Sequence, residues 1–245
     1  MRVKALIAYD GSAYLGFQKQ TSTKNTITST IETALKSLHI HADIVGSGRT
    51  DAGVHASGQV IHFDLPEYWS DLEKLKLNLN RQLFDISFKH ISKVEADFHA
   101  RFSATKRLYR YVFKTSKPSV FEQKHISHYP DFDPQRLQVA LKCFEGVHDF
   151  KYFHKTGSDP HTSTREVYKS VYKKRGAYHF IYFQANGFLR AQVRLMIDAA
   201  MAYAQGRLTL ENLQKQLNAE EQIHTKLAPA QGLYLAHILY PRSTT

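Results

Sequence analysis

The 245-residue sequence contains one cysteine, Cys143, one tryptophan, three methionines and seven prolines. A lone cysteine closes no internal disulfide and builds no cysteine metal site. No apolar run is long enough to span a bilayer. Met1–Tyr9 lacks the apolar core and cleavage site of a secretory signal, and no low-complexity tract interrupts the chain. These absences lead us to expect a cytoplasmic protein with no membrane partner. Acidic residues are also in short supply, 22 against 33 Lys plus Arg, which leaves a net charge of +11 with histidine neutral. That excess is more than a neutral substrate requires and suits a polyanion, because each cation near a phosphate releases condensed counterions. An anionic membrane is the competing partner, but no basic amphipathic helix stands out.

With 42% apolar and 22% charged residues the composition is that of an ordinary folded protein. Its length allows one large core or two modest ones. Tyr and Phe interleave with Arg and Lys in several stretches, which fits base stacking beside phosphate contacts. The plainer alternative is that aromatics fill a β-rich core.

Glycine is sparse, twelve in all, yet Gly46, Gly48, Gly53 and Gly58 fall within GSGRTDAGVHASGQVIHF, residues 46–63. Glycine serves where a backbone turns sharply or lies close to another group. The loop presents Arg49, Thr50 and Asp51, and its flanks at 40–45 and 59–65 read as strands. A loop braced by two strands positions a reactive side chain well. Asp51 also has a bland reading as a turn former. A phosphate-cradling loop fails for want of a following Gly-Lys-Ser/Thr.

Around this loop the spacing predicts a strand at 2–9, a helix from Ile27 capped by Asn25 or Thr26, and a helix over 70–83 with a Ser70–Glu73 capping box. A strand follows at 85–94. Residues 97–104, DFHARFSA, separate two halves, placed at 1–104 and 105–245. The second half has a strand at 107–114, a short strand within 125–129 and a helix after Asp133-Pro134. A hairpin is expected to turn at Arg175-Gly176. A helix at 190–205 would put Arg190 and Arg194 on one face near its positive end, a local conflict that often marks function. A helix at 209–217 and a strand at 233–240 complete an α+β chain in two similar halves with a cleft between them.

Five stretches together resemble the tRNA pseudouridine synthase A family: YDGSAYLGFQKQ (9–20), GRTDAGVHASGQVIHF (48–63), DFHARFSATKRLYRY (97–111), NGFLRAQVRLM (186–196) and GLYLAHILY (232–240). They occur in the family's order and at about its spacing. Phe17 stands where the family usually has Trp. Arg190 and Ala191 replace a His-rich pair, and Leu195 replaces Asn. The resemblance implies two RRM-like halves sharing an extended antiparallel sheet flanked by helices, with the active site in a central cleft. It implies a homodimer that isomerises uridine to pseudouridine at positions 38, 39 and 40 of the tRNA anticodon arm, using no metal or organic cofactor. Carried over residue by residue, Asp51 is the nucleophile or base, Arg194 its ion-pair partner, and Tyr109 the ring that stacks on the target base. Arg49 fills the vacated stack or grips the backbone. Phe98, His99, Ala100, Arg101 and Phe102 contact RNA. Whether Asp51 attacks C6, attacks C1′ or removes a proton stays open.

Two other classes compete. A silent RNA-binding protein on the same scaffold fits the charge, but would have no need of an intact Asp51 motif. A carboxylate hydrolase of a small phosphorylated molecule leaves the basicity unexplained. His55 with His62, or His154 with His161, could suggest metal, but their spacing fits no standard zinc pattern. The basic tip Lys173-Lys174-Arg175 and the polar loop 156–163 are further candidates for tRNA contact.

Overall fold

The computed structural model describes residues 1–155, 157 and 162–241. The chain divides into two compact units, Met1–Thr105 with Tyr234–Thr245, and Lys106–Leu233. The α+β expectation holds in both.

The first unit is built on β1 (Arg2–Tyr9), α1 (Ile27–Ser37), β2 (Val45–Gly46), β3 (His55–Asp64), α2 (Leu72–Gln82) and β4 (Ile86–Lys93). β1 lies antiparallel to both β3 and β4. Its alternation puts Val3, Ala5, Ile7 and Tyr9 in the core, as a period of two requires. Ile27, Ile31 and Leu35 of α1 and Leu75 and Leu79 of α2 are buried, the one-sided pattern of an amphipathic helix. Thr26 caps α1, accepting from Ser29 N. The cap of α2 is Asp71, accepting from Lys74 N, and not Ser70. Of the expected strand at 40–45 only Val45 pairs, with His62, and the next residue, Gly46, pairs with Ile61.

The second unit contains β5 (Lys106–Lys114), β6 (Ser127–His128), α3 (Pro134–Cys143), β7 (Gly146–Asp149), β8 (Thr164–Arg175), β9 (Tyr178–Ala185), α4 (Gln192–Ala204) and α5 (Leu210–Leu217). The sheet runs β5-β9-β8-β7, with β6 parallel to β5. The hairpin turns at Gly176-Ala177, one residue later than expected, because Arg175 pairs with Tyr178 and Gly176 takes φ +59. Asp133 caps α3 through Gln135 N and Arg136 N. Helix α4 starts two residues later than expected. Ala191 precedes it at φ +60, and a left-handed residue cannot continue a right-handed helix. Arg190 is therefore outside α4, and the expected shared face with Arg194 does not exist. Instead Gln192 Oε1 reaches back to accept Leu189 N at 2.7 Å.

The last strand, β10 (Leu233–Leu239), comes from the far end of the sequence. From Tyr234 on it belongs to the first unit. It runs parallel to β3, with Tyr234 opposite His55 and Leu235 opposite Ala56. Within the first unit β1–β3, β1–β4 and β2–β3 pair antiparallel, and within the second β5–β9, β7–β8 and β8–β9 do, whereas β10–β3 and β6–β5 are parallel. Among the described residues no helix is long and apolar enough to cross a membrane.

Candidate active site

The Arg49–Asp51 triplet sits in the turn between β2 and β3, and main-chain bonds hold that turn from several directions. Ser47 N donates to Val60 O at 2.9 Å and Phe17 N to Thr50 O at 3.1 Å. Gly53 N donates to Tyr14 O, and Val54 N closes a turn on Asp51 O at 3.1 Å. Buried side chains add to this. Ser47 Oγ donates to Gln59 Oε1, and Gln59 Nε2 donates to Gly48 O, both at 2.7 Å. Tyr9 OH and Thr50 Oγ1 share a buried bond of 2.8 Å.

Two glycines are sterically required. A Cβ on Gly11 would stand 2.0 Å from the Val54 carbonyl oxygen, and one on Gly46 2.4 Å from the Phe17 ring. Real Cβ contacts do not come so close, so the 11–17 loop packs on the triplet only because these side chains are absent. Phe17, where the family usually has Trp, fills the space over Gly46 and lies 6.2 Å from the Tyr9 ring. The outcome is selective. Thr50 is buried, Asp51 is half-buried and Arg49 is exposed. A carboxylate on a fixed main chain with access to solvent can meet a substrate atom without reorganising its own support.

His55 and His62 both serve the frame. His55 Nδ1 accepts Gly11 N at 3.1 Å and its ring stacks on Tyr234 at 4.7 Å. Asp10 Oδ1 is also 3.1 Å from that nitrogen. One Nδ1 cannot both accept from Gly11 and donate to Asp10, and Asp10 Oδ1 already accepts from Ser12 N and Oγ; we assign the backbone bond. His62 Nδ1 accepts Ala100 N at 3.0 Å. Burial, His99 and Arg2 push the His62 imidazole down to about 4, so it stays neutral and keeps accepting. His161, the expected partner of His154, lies outside the described residues, as does most of the 156–163 loop.

The Phe98–Phe102 segment forms a tight turn over β3. Ala100 is buried and anchored, its carbonyl accepting Tyr240 OH at 2.7 Å. His99 Nδ1 accepts Arg101 N and Phe102 N, both at 3.2 Å. Phe98 packs 5.1 Å from the Tyr240 ring. Arg101 and Phe102 project outward, the guanidinium 5.6 Å over the ring, with Phe102 77% exposed. An exposed ring under a cation is a surface for a base and a phosphate.

Tyr109 and Arg194 belong to the second unit. Tyr109 is buried on β5, edge-on to Phe188 at 5.2 Å. Arg194 is half-buried in the first turn of α4. Its Nε donates to Ala228 O at 2.7 Å, and Ala228 N donates to Arg194 O at 3.1 Å. Sequence reasoning missed Tyr9, His62, Asp198, Gln216 and His224 as supports. Their partners lie between 7 and 69 residues away in sequence, and no local pattern announces such a pairing.

A glycine-dependent loop presenting Arg and Asp, with an outward-facing aromatic-basic turn on the same α+β unit, suits an enzyme that works on nucleic acid. The family pattern described as tRNA pseudouridine synthase matches residues 5–103 and 140–241. A tRNA pseudouridine synthase A of Helicobacter hepaticus is 36% identical over 243 residues, covering 97% of this chain and 98% of that protein. One from Campylobacter jejuni is 37% identical over 246 residues, with 98% and 100% covered. One from Listeria welshimeri is 38% identical over 251 residues, with 98% and 99% covered. The chain belongs to the tRNA pseudouridine synthase family and is an isomerase of tRNA uridine. A solved chain titled as a Cbf5-Nop10-Gar1 complex superposes with a TM-score of 0.36 at 12% identity, over 81% of this chain and 45% of that one, a likeness too low to argue from.

Proposed function

We propose that this chain modifies uridines 38, 39 and 40 of the tRNA anticodon arm, with Asp51 as the ionised group that starts the reaction. Isomerisation breaks the bond from uracil N1 to ribose C1′, turns the base and joins C5 to C1′. The C5 proton leaves and N1 gains one, so atoms balance with no redox step and no hydrolysis. What the chain must provide is a carboxylate fixed against the base, charge to steady it, and a way to hold the nucleotide outside its stack.

The observation that carries this reading is the setting of Asp51: a half-buried carboxylate on a turn whose main chain is bonded on both sides. Arg49, exposed two residues earlier, fills the gap left by the extruded base or holds its phosphate. Arg194 provides a second guanidinium for the reaction. Tyr109 stacks on the uracil. Flipping costs a few kcal/mol, and the Phe98–Phe102 turn, through Arg101 and Phe102, grips the surrounding RNA. The basic hairpin tip at Lys173-Lys174-Arg175 extends the phosphate contacts. The working form is a cytoplasmic homodimer. Almost fully exposed Phe84 and Phe121 are the kind of apolar surface that assembly covers.

Asp51→Asn tests the assignment. Replacing the carboxylate with an isosteric amide should lower single-turnover pseudouridylation of unmodified tRNA by about 10³-fold or more. The tRNA Kd should change less than about threefold. Pseudouridine mapped at 38–40 at the wild-type rate in this variant sinks the role of Asp51; mapping it elsewhere in the wild-type product sinks the target positions.

A further inference from the structure

A carboxylate lies buried in the middle of α4 without an evident place in the chemistry. Asp198 is 2% exposed, between Ile197 and Ala199. Burying an unpaired carboxylate is strongly unfavourable, and an apolar residue there would pack without that cost. Asp198 is paired: its Oδ2 lies 2.8 Å from His224 Nε2. Its Oδ1 faces Tyr129 OH at 3.5 Å, a phenol that burial pushes well above its ordinary pKa and so keeps as a neutral donor.

His224 opens a strap, residues 224–229, that returns along α4. Gln216, 1% exposed on α5, fixes the start of the strap. Its Oε1 accepts Ile223 N at 3.1 Å and His224 N at 2.6 Å, and its Nε2 donates to His224 O at 2.9 Å. Four residues on, Ala228 exchanges two bonds with Arg194, one of them to the guanidinium Nε. Pro229 O then accepts Tyr111 OH at 3.1 Å. Arg194 and Asp198 are four apart on α4, one turn of helix. Their strap partners, His224 and Ala228, are also four apart. The strap is therefore stitched to α4 at two successive turns, first through Asp198 and then through Arg194.

We propose that the Asp198–His224 pair is a positioning device for Arg194: it sets the register of the strap so that the Ala228 carbonyl meets Nε and fixes the orientation of the guanidinium. This rests on the reading that Arg194 takes part in the reaction. Two positioning residues follow, neither of which touches the substrate. With the pair broken, the strap slides, Ala228 O leaves Nε, and the guanidinium samples other rotamers; misplacement of a catalytic group by about 1 Å costs up to about 100-fold in rate.

The test uses the full chain and an unmodified tRNA transcript, assayed well below the Tm of every variant. Asp198→Asn and His224→Leu should lower the single-turnover rate roughly ten- to a hundred-fold while the tRNA Kd stays within about twofold. His224→Gln, which keeps a side-chain donor, should recover most of the rate. Arg194→Lys, which lacks Nε, should be slow, and adding Asp198→Asn to it should cost nothing more, since the pair acts only through that atom. In the free protein, hydrogen exchange of the Arg194 Nε–H should be slow and should speed up in Asp198→Asn and His224→Leu, a readout that survives loss of activity. The proposal is overturned if the two losses add, if Kd and Tm decline in step with rate, or if Nε–H exchange is unmoved. Wild-type rates in the pair variants beside a slow Arg194→Lys reject the pair alone. A wild-type rate in Arg194→Lys rejects the role of Arg194 and the proposal with it.

Discussion

The chain fixes two charged side chains by opposite means. In the first unit, Asp51 rides on a turn held mostly through its main chain, with Gln59 and Tyr9 as side-chain supports. Glycines at 11 and 46 let the 11–17 loop close in, and carbonyls and amides of residues 14, 17, 47, 50, 51, 53, 54 and 60 do most of the tying. In the second unit, Arg194 is held through polar side chains, the buried Gln216 and Asp198 and the half-buried His224, acting on a strap. The difference follows from the carriers. A carboxylate on a two-bond stem is placed once its backbone is placed, whereas a guanidinium on a long stem needs a bond on the side chain itself. The two supports should therefore fail differently.

The largest effect is expected from Gly11→Ala. Its Cβ would meet the Val54 carbonyl backbone, which cannot swing aside as a side chain would, so the turn must move. A stability loss of about 4 kcal/mol in urea unfolding should accompany a rate loss far beyond the change in tRNA affinity. A variant as stable and fast as wild type would show that the turn does not depend on this close approach.

Next comes Gln216→Leu, which strips four bonds from a buried site and leaves Tyr152 O, His224 O, Ile223 N and His224 N to find other partners. About 3 kcal/mol is the expected cost, or a Tm lower by roughly 6–12 °C. Hydrogen exchange should show the opening confined to the second unit. Exchange that rises equally around Asp51 would erase the contrast between the two supports.

A smaller effect is set by pH. His62 holds Ala100 N, and thereby the Phe98–Phe102 turn, only while its Nδ1 is unprotonated. Its folded pKa, about 4, lies below the ordinary 6.5, so the folded state resists the proton that the unfolded chain accepts. Stability is complete above pH 6.5, declines as pH falls from 6.5 toward 4, and levels off below. The loss should be about 2 kcal/mol at pH 4. His62→Phe should flatten that part of the profile; an unchanged slope would place the titration elsewhere. Smallest is Gly176→Ala, at φ +59 but with nothing within 4 Å of the new Cβ. Left-handed strain alone gives about 1 kcal/mol, the reference against which the clash at Gly11 is measured.

The repeating features of the fold were legible because they are local. Alternation marked β1 and β5, the spacing of Ile27, Ile31 and Leu35 marked α1, and Thr26 and Asp133 announced their helices through cap chemistry. The Asp51 turn was legible because glycine at four nearby positions is a backbone requirement written into the sequence. Where reading went astray, a nonlocal or backbone fact had intervened. Ala191 takes φ +60 and cuts α4 short of Arg190. Asp71 caps α2 in place of Ser70. Residues 40–44 look like a strand, but only Val45 and Gly46 find a partner on β3.

By itself the sequence determined the class, the basic character suited to a polyanion, and the glycine-rich turn that presents Arg49 and Asp51, since each depends on composition or on neighbours a few positions apart. Tertiary structure alone decided that β10 returns to pair with β3, that His62 anchors the Phe98–Phe102 turn through Ala100 N, and that a strap some thirty residues beyond Arg194 accepts from its Nε. Those outcomes rest on hydrogen bonds between groups far apart in the chain, whose partners are chosen by burial: a donor or acceptor removed from water must bond whatever the fold brings within reach.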